Sequence, residues 1–354
     1  MKRKAPAADA ERRDYFQRIG REGGKKSWEK MTTSEKAIRA YKIGIKGGRP
    51  REVDRDKILD LRKGGRTLQE TAEALGCSVA TVSRAQVGIC KLCLRERNLQ
   101  LSHLVPASIL AVMSEPSLQN PHPVRLAGRF ALQKPTQVKD YVLCYECEQR
   151  FNRNGEGWFA PVVARMGSFP LRDTLKGLRP LKQDADSALF SGLTIPGFDI
   201  GKLEYFALSI FWRAAAHKWR DRDPVPQIDL GIYQEPIRQF LHGEAEYPKD
   251  VVLLAGIWPV EPVPIGVYLP VTESATGFDL FRFYMAGFEF ALCIGERVPP
   301  DVKQLCCHTS SQRIVIVSKK PNYHAANRFK QGVGGASMSQ GLKKLLQGPN
   351  PRKS

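Results

Sequence analysis

Two cysteine pairs constrain this 354-residue chain more than any other feature: Cys90-x-x-Cys93 and Cys144-x-x-Cys147. Two thiolates three positions apart can grip one ion from a tight turn, and two such pairs complete a tetrahedral site. Four thiolates fill zinc's coordination, so the spacing implies a structural zinc ion with no open position for chemistry. A disulfide framework is the other use for eight cysteines, but it belongs to oxidising compartments. The start of the chain argues against export, because Met1-Lys2-Arg3-Lys4 runs into Ala, Asp and Glu without an apolar stretch. The expectation is a cytoplasmic protein with reduced cysteines. Cys293 and the Cys306-Cys307-His308 run lack a second pair at zinc spacing and read as buried thiols.

Charge points to the partner. The formal net charge is +19, and such an excess repels itself unless a polyanion relieves it. Residues 1–50 hold 15 Lys/Arg against 6 Asp/Glu, while residues 319–354 hold eight cations and no acid, so the two ends supply +17 of the total. A near-neutral body with two basic arms suits backbone contacts to nucleic acid. A solubilising surface or an anionic membrane are the other uses of such charge. Spanning a membrane is not expected, since the most apolar stretch, 251–271, is broken by Pro259, Pro262, Pro264, Pro270 and Glu261.

The pattern along the chain predicts a multi-domain α+β protein. Its parts are a basic arm (1–50), a helical unit (51–87), the cysteine core (88–160), a mixed α+β region (161–318) and a basic tail (319–354). In the arm, Gly23-Gly24-Lys25-Lys26 and Gly47-Gly48-Arg49-Pro50 resemble short KGG-type basic repeats of some bacterial proteins. Residues 54–63 predict one helix, closed by Gly64-Gly65. Thr67 can cap a second with Glu70 as its capping-box partner, and Ser78 can cap a third. Further on, apolar spacing predicts helices over 201–220 and 234–241. Strands are predicted over 251–254, 266–271, 281–285, 288–294 and 313–318, with Ala286-Gly287 as a hairpin turn. His217 reads as a structural residue in its apolar helix, and Trp158-Phe159 as core. Neither a nucleophile elbow nor a phosphate-binding loop is present in the sequence.

Two family resemblances rest on these motifs. Gly48-Arg49-Pro50-Arg51, followed by the capped helices through Thr67-Leu68-Gln69-Glu70 and Ser78-Val79-Ala80-Thr81-Val82-Ser83-Arg84, resembles the helix-turn-helix of resolvases and invertases. That resemblance implies a last helix in the major groove, with Ser78, Ala80, Thr81 and Arg84 facing bases or phosphates. Arg49 and Arg51 would sit in a minor-groove arm. Such units commonly work in pairs, which implies a homodimer; an ordinary helical hairpin is the plainer reading.

The second resemblance joins the cysteines to Leu101-Ser102-His103-Leu104-Val105-Pro106 and Glu148-Gln149-Arg150-Phe151-Asn152. Together they resemble an HNH endonuclease, a ββα-metal fold on a treble-clef zinc module. The resemblance implies a DNA nuclease of bacterial or phage type, with His103 as general base and a magnesium or manganese ion at the scissile phosphate. Family members usually carry Asp before that histidine and Asn after the last cysteine. Here Ser102 and Glu148 stand there; a carboxylate still suits a hard cation, and a serine suits it poorly. Asn152, Asn154 or Glu156 could compensate, since Glu148, Asn152 and Glu156 share one face of an unbroken α-helix, whose persistence through Gly155 is open. The plainer readings are a packed His103 and a Glu148 that serves the helix N-terminus. With them goes the alternative function, a non-catalytic zinc-containing DNA-binding protein.

Overall fold

In a computed structural model of the chain, residues 53, 55–83, 86–114, 124–127, 130–132, 137–164, 168–219, 221, 225–258 and 266–318 are described. The chain forms two compact units that divide after Val82. The protein is mixed α+β, with several helices and two sheets. Among the described residues no helix is long and apolar enough to cross a membrane.

The first unit contains α1 (Arg55–Lys63), α2 (Leu68–Ala74) and α3 (Val79–Ser83). The Glu70 amide donates to Thr67 Oγ1 (3.2 Å), and the Thr67 amide donates to Glu70 Oε2 (2.7 Å), which closes the expected capping box. These contacts hold the Glu70 carboxyl below its ordinary pKa, the Thr67 amide having the largest effect. Ser78 caps α3, its Oγ accepting from the Thr81 amide at 3.1 Å. Ile58, Thr71, Ala72 and Val82 are buried. The small methyl of Ala72 fits a close approach of short helices.

The second unit begins with a three-stranded antiparallel sheet. Its strands are β1 (Gln86–Ile89), β2 (Glu96–His103) and, after an excursion, β5 (Lys139–Cys144), in the order β1-β2-β5. The excursion includes α4 (Ala107–Met113), β3 (Val124–Ala127) and β4 (Phe130–Leu132). From β5 the chain runs into α5 (Tyr145–Phe151), a π-turn (Asn152–Glu156) and α6 (Gly157–Val162) without leaving helical conformation. Next come α7 (Pro170–Lys176), β6 (Lys182–Gln183), β7 (Ser187–Ser191), α8 (Ile200–Ala216) and α9 (Gln234–His242). Strands β8 (Val251–Ile257), β9 (Gly266–Glu273), β10 (Asp279–Met285), β11 (Phe288–Ile294) and β12 (Ile314–Ser318) complete it.

The large sheet has nine strands in the order β4-β3-β9-β10-β11-β8-β12-β7-β6. Pairing is antiparallel except for β3 with β9 and β12 with β8, which are parallel. Ala286 and Gly287, at φ +33° and +91°, form the expected turn between β10 and β11, where Met285 pairs with Phe288. Because β3 comes from the excursion between the two cysteine pairs, segments 88–160 and 161–318 share one unit and one core.

Helix α8 is the centre of that core. Leu203, Phe206, Ala207, Ile210, Phe211 and Ala214 follow helical spacing and are all buried, and Leu208 and Trp212 on the remaining face are buried too. A helix apolar all round needs partners on every side. Here they are the α5–α6 segment, α9 and the large sheet. Phe159 stacks on Phe206 at 4.0 Å, and Phe211 meets Phe283 edge-on at 4.9 Å.

Candidate metal centre and an adjoining histidine–carboxylate cluster

The two cysteine pairs converge. Cys90 follows β1 and Cys93 ends the turn after it; Leu94, at φ +57°, bends the chain back so that its amide reaches the Cys90 carbonyl (2.9 Å). Cys144 is the last residue of β5, and Cys147 lies in the first turn of α5. The Lys91 amide donates to the Val142 carbonyl (3.1 Å), tying the first turn to the second strand. All four Sγ atoms lie within 4.8 Å of one another, with Cys93 and Cys144 at 3.9 Å. Zinc–sulfur bonds of about 2.3 Å imply tetrahedral S–S edges of roughly 3.8 Å, so the quartet has the dimensions to hold a zinc ion.

Electrostatics agree with that use. The neighbouring thiols of Cys144 and Cys147, together with the Cys144 amide that donates to Cys90 Sγ (3.3 Å), hold the Cys90 pKa far below the ordinary thiol range. Cys144 is pushed far above it by its contacts with Cys147 and Cys90. Four clustered sulfurs ionise together only around a cation. The other described cysteines form no such group: burial pushes the Cys293 thiol up to about 11 and raises Cys307 as well.

One helical position past Cys147 a second cluster begins. His103, the last residue of β2, is half-buried and pairs with Lys139 across the sheet. Burial lowers its pKa, Glu148 nearby opposes that shift, and Lys139 and Arg213 add to it. The net effect favours neutral imidazole, the form that can take a proton. Glu148 has one carboxylate oxygen, Oε1, that is fully buried and has no hydrogen-bond partner. Arg213 reaches in from α8, donating to the His103 carbonyl (3.2 Å) and pairing with Glu156, while its guanidinium lies 4.4 Å from the centre of the Phe151 ring. Burial raises the Glu156 pKa; Arg213 opposes the rise and Glu148 adds to it.

The other expected residues are placed differently. Ser102 is buried, and its Oγ accepts from the Leu143 amide (3.1 Å). That amide borders a bulge: Gln100 pairs with Leu143 and Leu101 with Tyr141, leaving Val142 over. The Ser102 hydroxyl therefore supports the strand irregularity. Asn152 is exposed, and Asn154 lies near Tyr205, whose hydroxyl donates to the Leu241 carbonyl (2.6 Å). The π-turn that begins at Asn152 adds one residue to the turn and makes Glu148 and Glu156 align as an i, i+7 pair would. Helical conformation persists through Gly155, where a Cβ would sit 2.9 Å from the Phe206 Cα. Glycine there lets α8 come close enough for Arg213 to meet Glu156.

Sequence spacing did not single out Arg213, although a lone arginine among Ile210, Phe211, Trp212 and Ala214 signals a buried acid partner. His217 pairs with Asp140 at 2.9 Å, a structural place near the end of the same hairpin. In the first unit, Ser78 is exposed and its hydroxyl lies 2.9 Å from that of the half-buried Thr81, while Ala80 lies within α3. Arg49, Arg51 and Arg84 lie outside the described residues. No family model, no curated protein and no solved structure matches this chain.

Proposed function

We propose that the protein is a metal-dependent DNA endonuclease of the HNH type, built on a treble-clef zinc module and targeted by a helix-turn-helix at residues 51–87. The observation that carries this reading is half-buried His103 within the electrostatic reach of Glu148, whose Oε1 is unpartnered and which follows the last cysteine of the quartet. Neutral His103 accepts a proton from water as the water oxygen attacks phosphorus, and the P–O ester bond breaks with its oxygen staying on the sugar and taking a proton from solvent. Glu148 is the residue that would hold magnesium or manganese, which supplies positive charge at the scissile phosphate. Lys139, opposite His103, adds positive charge at the mouth of the cluster. In the first unit, the capped short helices and the exposed Ser78 at the start of α3 support the DNA-targeting role.

The test is plasmid nicking by the purified chain in magnesium or manganese against EDTA. His103→Ala should slow cutting by about 10²–10⁴-fold while a gel shift on the same DNA is unchanged. Because the His103 pKa is lowered, the acid limb of the rate profile should fall below the ordinary histidine value of 6.5. A second reading, a non-catalytic zinc scaffold that binds DNA, is favoured by Ser102's engagement at the bulge and by the guanidinium already set against Glu156. Gel shift without cutting in any divalent ion would establish that reading instead.

A further inference from the structure

On the other side of α5 lies a groove that the His103 cluster does not use. Glu146 and Arg150, at i and i+4 of α5, and Arg153, in the π-turn after it, line one cavity, and Glu148 is set roughly opposite Glu146 on the helix. Arg95 and Arg97, at the start of β2, line the same cavity of about 340 Å³, which is floored by Cys93, Cys144 and Cys147. Gly243, in the left-handed region at φ +79°, leaves room there: a Cβ would stand 3.1 Å from Arg150 Nη1. Among the described residues Arg95, Arg150 and Arg153 make no ion pair with a carboxylate. The concentration is unusual for this chain, because the two ends carry +17 of its +19 and the body between them is nearly neutral.

We infer that this arginine groove binds phosphate groups of a nucleic-acid backbone, as a contact surface separate from the His103 cluster. Guanidinium groups match phosphate oxygens in pairs, and two walls of them can grip a strand as it passes. Zinc held by four thiolates carries two net negative charges, and Glu146 adds one. Arg95, Arg150 and Arg153 offset that sum with the metal in place, and Arg97 lines the same cavity. The inference rests on the DNA-binding part of the proposed function and not on cleavage.

Arg95→Gln/Arg153→Gln removes two exposed cations from the full-length chain. The probe is a fluorescein-labelled 30-bp duplex, without added divalent ion and over a range of salt. Losing two phosphate contacts should cut the slope of log K against log salt by about 1.8, equivalent to roughly 60-fold weaker binding at 0.1 M. Zinc content should stay at that of the parent protein, and Arg95→Lys/Arg153→Lys should restore most of the slope. Unchanged binding would overturn the inference. So would loss of zinc, which would make the arginines counter-charges of the thiolate cage. An equal fall in a control pair, Arg179→Gln/Lys182→Gln, would also overturn it by tracing the effect to net charge. Plasmid nicking by the same variants separates the two sites: a chain that never cuts defeats the nuclease reading and leaves the groove result standing.

Discussion

Arg213 partners two groups that would otherwise be costly to bury, the Glu156 carboxylate and the His103 carbonyl. Its side chain is 1% exposed, and that of its partner Glu156 is 11% exposed. Removing one member of such a pair leaves an uncompensated charge, at a cost of about 3–5 kcal/mol. Arg213→Met is expected to lose that much stability near neutral pH. The loss should be smaller in acid, for a reason of sign. Burial already raises the Glu156 pKa above its ordinary 4.5. Protonated Glu156 therefore contributes its stability fully below that value, and the contribution fades as pH rises through the raised folded value. Without Arg213, burial acts unopposed and the fading moves to higher pH. Urea unfolding of the parent and variant at pH 5 and pH 7.5 checks this, and an equal loss at both would show that charge is not what the pair supplies.

At the scale of elements, the decisive device is the π-turn between α5 and α6. It shifts the helix register so that Glu156 comes into line with Glu148 and meets Arg213. Gly155 within it is where α8 makes its close approach. Gly155→Ala puts a methyl 2.9 Å from both Cα and Cβ of Phe206, and neither α8 nor the π-turn can yield without moving Arg213 from Glu156. The expected cost is about 1–3 kcal/mol, typical of overpacking. A lower urea midpoint at an unchanged slope would show this, and an unchanged midpoint would mean that the two segments adjust freely. The bulge in β5 is a second such device, because it aligns Val142 with Lys91 and gives Ser102 its amide partner.

At the scale of the molecule, the four-cysteine quartet closes one end of the second unit. It joins the β1–β2 turn to the start of α5, two places 51 residues apart in sequence when measured from Cys93 to Cys144. A metal that ties such distant segments contributes directly to folding. The purified chain is expected to carry one zinc, and a strong chelator should release it and open 86–103 to trypsin at Arg95 and Arg97. Mass spectrometry of the fragments, with and without restored zinc, reads the outcome. Purified protein free of zinc, with the same protease resistance, would defeat that expectation.

Short-range chemistry was legible from the residues alone. Cysteine spacing foretold the quartet, Thr67 with Glu70 the capping box, and Ala286-Gly287 the hairpin. The apolar period over 201–220 foretold the helix observed at Ile200–Ala216. Each rests on residues a few positions apart, where sequence and geometry are nearly the same thing; the quartet joins two such pairs across 51 residues. Hydrophobic periodicity says which face of an element is buried but not against what. That is why the insertion of β12 between β8 and β7 could not be read from it. The same holds for the meeting of Arg213 with His103, 110 residues away, and for the four arginines gathered beside the cysteines. Ser102 shows the limit most plainly. Its place beside His103 suggested an ion ligand, and the bulge in a strand 41 residues later gave its hydroxyl the Leu143 amide as a donor.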